Sequence, residues 1–245
     1  MVDASPQPRS AIIDKESIPQ YAILSHRWRD GEVQFSDIDQ PHARNMPGYS
    51  KLTKTGIAIV WIDTCCINKS NSSELSDAIN SMFMWYKKAQ ICYAYLYDVS
   101  RCDTLIAEFS NSQWFRRGWT LQELVAPNNV VFFSRDWQEI GSKSSFARLI
   151  EQITEIDRGV LLTNYQEEVS VAKKVSWATG RQTMRVEDRA YSLLEGENAF
   201  VRLQIEIMKS SNDQSNFAWE SHRGDTSASA AQCRQWSRAR AIVDA

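Results

Sequence analysis

The densest gathering of reactive side chains lies where Arg116, Arg117, Gly118, Trp119, Thr120, Leu121, Gln122, Glu123 and Leu124 follow one another. Two cations, two hydrogen-bond donors, an aromatic plane and a carboxylate meet there near the start of a helix. A second group, Ser25, His26, Arg27 and Trp28, follows an apolar strand, and a third, Asp63, Thr64, Cys65 and Cys66, follows the apolar run 57–62. By residue type these offer a Cys/His hydrolase, with Cys65 or Cys66 as nucleophile, His26 as base and Asp63 as orienter. No elbow motif activates either thiol, and free cysteine is among the most buried residue types, so packing is the favoured role for both. Glu123 taken alone reads as a helix carboxylate pairing weakly with Arg116 or Arg117 at the surface. Metal binding has no local motif, because His26, His42 and His222 stand far apart and no CxxC or HxxxH pair exists. No two glycines stand one residue apart and none precedes a lysine, which removes both GxGxxG and the P-loop.

The elements that must position these groups alternate between strand and helix. Strands are predicted over 21–26, 57–62, 91–97 and 130–134, the second a continuous apolar run suited to burial on both faces. Helices are predicted near 50–55, 103–109 and 119–125, the last stopped by Pro127, and over 72–88. That longest helix starts at Asn71 with Glu74 three residues on, and carries Leu75, Ala78, Ile79, Met82, Phe83 and Tyr86 at helical spacing. Strands separated by helices predict a parallel, doubly wound α/β sheet. In such sheets ligands bind beyond the carboxyl ends of the strands, where Ser25, His26, Trp28, Asp63 and Asp98 stand. From 145 onward only helical patterns recur, over 145–156, 170–178, 185–194 and 197–209. Arg181, Arg185 and Arg189 form a stripe at i,i+4 spacing, read as a solvated face or as a means of docking the helical part onto the sheet. The expected division is a lead-in over 1–19, an α/β core over 20–158, a helical extension over 159–219 and a disordered tail over 220–245.

Composition narrows the function classes. The 245 residues carry 28 Lys and Arg against 30 Asp and Glu, which gives no electrostatic reason to expect nucleic acid or an anionic membrane as partner. The longest apolar run is far short of the roughly 20 residues that span a bilayer, so no transmembrane segment and a cytoplasmic location are expected. Five cysteines, an odd number, fit reduced thiols better than a disulfide framework.

Four blocks carry a family resemblance: YAILSHRW at 21–28, VWIDTCCINKSNSSELSDAINSMFMWYKKA at 60–89, WFRRGWTLQELVAP at 114–127 and RDWQEIGSKSS at 135–145. In this order they resemble the fungal HET (heterokaryon incompatibility) domain, and the blocks at 176–194, 195–207 and 213–219 are similar to the segments C-terminal to that core in many HET proteins. The resemblance implies a role in fungal allorecognition, where such domains signal or execute cell death. It also implies kinship with TIR domains and their flavodoxin-like sheet. WTLQEL is similar to the TIR run that carries the glutamate needed to cleave NAD; it places Glu123 at that glutamate and Trp119 at the TIR tryptophan. Ser25, His26, Trp28, Asp63 and Trp119 are then the candidate substrate-binding residues. NAD is implied as a substrate rather than a resident cofactor, no metal is expected, and the implied partners are copies of the chain itself or other cell-death signalling proteins.

The chemistry is coherent. Breaking the nicotinamide–ribose bond develops oxocarbenium-like charge that one carboxylate can stabilise, and nicotinamide leaves as a neutral base without a general acid. A non-catalytic oligomerisation domain and a degenerate family member are the alternatives. Arg29 stands where the family usually has glycine, and the stretches at 49–59 and 194–197 are short against the family pattern, as internal deletions would leave them.

Overall fold

The computed structural model describes residues 8–12, 19–54, 59–163, 169–183, 188 and 240–244. The chain enters as β1 (Pro8–Ile12) and β2 (Ala22–His26), runs through two short 3-10 segments (Pro41–Asn45 and Pro47–Tyr49) and the four-residue α1 (Ser50–Thr53), and returns as β3 (Ile59–Ile62). Then come α2 (Asp63–Cys66), α3 (Ser72–Lys88), β4 (Ile91–Tyr95), α4 (Leu105–Asn111), α5 (Thr120–Val125) and β5 (Val130–Phe133). β6 (Glu139–Ser142), α6 (Ala147–Thr154), α7 (Arg158–Thr163), α8 (Val171–Ala178) and β7 (Arg240–Asp244) complete the described elements.

The sheet order is β1-β7-β3-β2-β4-β5-β6, with β3, β2, β4 and β5 mutually parallel. Counted along the chain, the parallel strands lie in the order 2-1-3-4 of a flavodoxin-like sheet, whose switch point falls between the first and third. All five residues of β2, the central strand, are buried. Helix α3 covers the sheet through Ala78, Met82, Phe83, Trp85 and Tyr86, where Trp85 lies 5.0 Å from the Trp61 ring. A second aromatic cluster joins Phe109, Trp114, Phe115, Phe132 and Phe146, with Phe109 and Phe132 edge-to-face at 5.0 Å.

Helix α3 begins where the sequence places it. Asn71 accepts from Ser73 N at 3.1 Å and Glu74 N at 3.2 Å, while Glu74 takes the Asn68 N–H rather than completing a reciprocal box. Replacing Asn71 by alanine is expected to cost about 1 kcal/mol in a thermal or urea unfolding midpoint.

Three features differ from the sequence reading. Pro8–Ile12, expected in an unstructured lead-in, and Arg240–Asp244, expected in a disordered tail, pair antiparallel, and Ile242 and Val243 extend the ladder to Val60 and Ile59. The edge of β3 would otherwise present unpaired N–H and C=O groups, and the β-branched residues at 242–243 suit an added strand. Glu139–Ser142, not foreseen as a strand, pairs antiparallel with β5 across an irregular register at Phe132 and Phe133; four residues without apolar alternation leave little trace in a sequence. The crossover from β2 to β3 contains only α1 as regular α-helix among its described residues, in keeping with its shortness. The predicted helix 197–209 and the short stretch at 194–197 lie outside the described residues, as does the predicted helix 185–194 except at residue 188.

Candidate functional site

The carboxyl end of β2 delivers Ser25 and His26 next to the switch point, and Ser25 is the centre of a buried hydrogen-bonded chain. Its hydroxyl donates to Glu123 Oε2 and accepts from Trp114 Nε1 at 2.7 Å. Trp114 sits on a 3-10 turn (Gln113–Arg116) fixed by Asp98, which accepts from Ser112 Oγ at 2.8 Å and Gln113 N at 2.7 Å. Asp98, beyond the end of β4, thus anchors the turn that brings the Trp114 indole to Ser25.

Glu123 is 3% exposed, not on an open helix face. Burial pushes its carboxyl up to about 7, against the opposing pull of Arg117 and the Ser25 hydrogen bond. Folded protein therefore holds this group close to half protonated near neutral pH, which sets it apart from a surface carboxylate and marks it as a functional candidate.

A second layer lies around Asp63 and Trp28. Asp63 Oδ2 accepts from the Trp28 indole N–H at 2.7 Å, while buried Oδ1 has no hydrogen-bond partner. Burial raises the Asp63 carboxyl despite nearby Arg117 and Lys69. Lys69 Nζ stands 3.5 Å over the Trp28 ring and the Arg117 guanidinium 5.3 Å from it, two cation–π contacts on one half-exposed indole. Arg117 also donates to the His26 carbonyl at 2.9 Å, tying the Glu123 segment to the end of β2.

His26 is buried beside this layer, and both ring nitrogens lack a hydrogen-bond partner. Burial, together with the positive charge of Lys51, Arg117 and Lys69, holds its pKa well below the ordinary range. The ring is therefore neutral, and its 3.7 Å approach to Glu32 Oε2 is not an ion pair. Glu32 pairs instead with Lys51 and accepts from Arg29 N at 3.1 Å. Gly31, at φ +80, makes the turn before it; a Cβ there would lie 2.8 Å from Pro47 Cδ. The Arg29 side chain extends toward the Tyr97 ring, 4.8 Å from its centroid.

The structure thus brings Ser25, His26, Trp28, Asp63 and Glu123 to one end of the sheet. Trp119 stands apart: it precedes α5, half-buried against the core, and among the described residues no hydrogen bond or ring contact links its indole to the others. Cys65 and Cys66 are buried, and burial raises the Cys65 thiol well above its ordinary value, the opposite of an activated nucleophile. One sequence expectation is corrected: Glu123 is no exposed partner of Arg116. Of the two readings of the arginine stripe, Arg181 follows the docking one, being buried to 9% exposure against residues 117 and 120, while Arg185 and Arg189 lie outside the described residues. Trp114 and Lys69 escaped sequence reasoning as site residues; both lie inside the motif blocks, but their partners are distant in sequence.

A separate cavity of about 510 Å³ opens at the amino ends of β4 and β5, lined in part by Gln90, Asn129, Lys143 and Leu162. It lies at the opposite end of the sheet strands from Ser25 and His26. Lys143 there donates to the carbonyls of Leu124, at 3.3 Å, and Pro127, closing the carboxyl end of α5. Among the described residues no group of three His, Cys, Asp or Glu side chains could hold a metal ion, and no helix is long and apolar enough to cross a membrane.

Removing the Trp28 donor should be felt despite its partial exposure. Trp28→Phe leaves buried Asp63 without its described donor, and a loss of about 1–3 kcal/mol is expected in urea unfolding at pH 7.

Residues 21–105 match the family model described as heterokaryon incompatibility protein (HET), and residues 198–242 match a domain of unknown function, DUF8212. The chain is similar to the vegetative incompatibility protein HET-E-1 of Podospora anserina, 44% identical over 193 residues that make up 72% of this chain. It spans only 14% of that relative's length. No solved structure matches the chain significantly. The matched stretch from residue 21 holds Ser25, His26, Trp28 and Asp63 on the strand ends that form the site, and the chain belongs to the heterokaryon incompatibility (HET) domain family.

Proposed function

We propose that this chain acts in heterokaryon incompatibility as an effector of cell death, and that it does so by cleaving the nicotinamide–ribose bond of NAD at Glu123. The supporting observation is the buried Glu123 carboxyl at the switch point, held by Ser25 and pushed by burial up to about 7. In this reading the α/β core spans 20–158, the helical extension 159–219, and the protein works as an assembly with its own copies or with other cell-death proteins.

The carboxylate form does the work. As the bond to nicotinamide stretches, positive charge grows on the ribose, and an anion fixed in a low-dielectric site stabilises it more than water does. Ser25 holds one carboxylate oxygen, leaving the other for the ribose. Because the group ionises as pH rises through about 7, nicotinamide release is expected to climb across that range rather than fall. A rate profile between about pH 5.5 and 8.5 checks the sign.

The near-complete enclosure of Glu123 favours a second reading, in which the carboxyl is structural and the domain signals by assembly alone. Expression of the chain and of Glu123→Gln in a compatible fungal host separates the two. Growth arrest by the former and normal growth with the latter supports the enzyme. Arrest by both supports the assembly reading, and no arrest by the parent chain, at matched protein level, counts against an effector role.

A further inference from the structure

The extension bonds to the α/β core at the turn just before Glu123. Helix α8 is capped by Ser170, whose hydroxyl accepts from Lys173 N, and ends in a reversal at Gly180 with φ +84. Gln182 then donates its N–H to the Arg116 carbonyl at 2.6 Å and accepts from Gly118 N at 2.8 Å, an isolated parallel bridge across residues 117 and 182. Arg181 turns inward beside this bridge. Its Nε donates to Trp177 O at 3.0 Å, and its Nη1 reaches Arg117 O and Thr120 Oγ1, both at 3.2 Å. Thr120 Oγ1 in turn lies 2.6 Å from Trp114 O and 2.7 Å from Arg117 O, either of which takes its proton. One guanidinium therefore joins the end of α8, the turn carrying Trp114 and Arg117, and the first residue of the helix carrying Glu123.

We infer that Arg181 is a positioning residue of the Glu123 site, through which the helical extension fixes the 116–120 turn and biases the Glu123 carboxyl toward its anion. The inference rests on reading Glu123 as the site's working carboxyl. An isolated surface arginine would gain little from such contacts, but this one is removed from water with its donors on backbone carbonyls and a hydroxyl, an arrangement suited to a planar fork. Of the charged groups around Glu123, Arg117 and Arg181 favour the carboxylate and Asp63 opposes it. Tyr86 and Cys92 are buried with their pKa values raised, and His26 is neutral, so none of these three supplies a compensating charge near pH 7. Loss of Arg181 therefore leaves Arg117 as the favourable cation and raises Glu123 further.

The test is a carbon-detected NMR titration of the Glu123 carboxyl in the full chain, with the resonance assigned by Glu123→Gln, in parent, Arg181→Met and Arg181→Lys proteins. Arg181→Met is expected to move the midpoint measurably upward, and Arg181→Lys to restore most of that shift while leaving the turn looser. The pH profile of nicotinamide release should move with the midpoint. If Arg181→Met does not fold, Arg181→Lys is compared with Gln182→Pro, which removes the donor to Arg116 but keeps the guanidinium. The proline variant should then perturb amide shifts at 116–120, while Arg181→Lys, which keeps the positive charge, leaves the midpoint close to the parent's. An unmoved midpoint in folded Arg181→Met, or in the pair an unperturbed 116–120 turn, overturns the inference. Because the titration needs no substrate, a shifted midpoint in a protein that releases no nicotinamide leaves the Arg181 role standing and removes the NAD reading.

Discussion

Glu123→Gln should be more stable than the parent chain at pH 8 and close to it at pH 5. The carboxyl moves from 4.5 to about 7 on folding, a displacement corresponding to about 3 kcal/mol. Between those two values the folded state holds more protons than the unfolded state, so parent stability falls as pH rises and levels off above the folded pKa. Glutamine keeps an acceptor for the Ser25 hydroxyl and has no charge to bury. The variant should therefore show a flatter stability profile, with an advantage approaching about 3 kcal/mol above pH 8 that fades toward about pH 5. Asp63, also raised by burial, tilts both proteins, and its repulsion of the Glu123 carboxylate is part of the displacement that the variant removes. Urea midpoints measured across pH read the difference directly. Such a stability cost, once measured, supports a functional rather than a structural role for this side chain.

Lys51→Met is expected to be the most damaging substitution near the site. Glu32 and Lys51 are both buried, and the ammonium is the carboxylate's closest cation. Burial lowers the Lys51 pKa and the Glu32 contact opposes that shift. Methionine retains the volume but leaves Glu32 with the Arg29 N–H and a neutral imidazole, a loss of about 3–5 kcal/mol. The double variant Glu32→Gln with Lys51→Met removes both charges and should recover most of the loss. Chemical denaturation of the two single variants and the double gives the coupling energy, which should be large and favourable.

How much of the molecule is legible in its sequence depends on range. Helix α3 is readable to its cap because Asn71 and Glu74 act within one turn, and its apolar stripe repeats across 17 residues. Strand β2 and the placement of Ser25 and Asp63 at strand ends are readable from apolar runs closed by polar residues. The chain Trp114–Ser25–Glu123 is not readable as a network, since its partners are 89 and 98 residues apart and no local pattern encodes them. Position alone assigns Glu123 to solvent, whereas the family resemblance marks it; burial is a property of the packed turn and extension, not of the helix. For Arg181 the sequence leaves a solvated face and a docking face both open, because periodicity reports a face but not what that face meets.

Whether Glu123 works on NAD is read most plainly from nicotinamide release by purified, oligomerised protein, parent against Glu123→Gln. Release by the parent is expected, with a loss of about 100-fold or more in the variant, at a pH where both are folded. Equal release by the two proteins, or none from an assembled and folded parent chain, would contradict a catalytic role for this carboxyl.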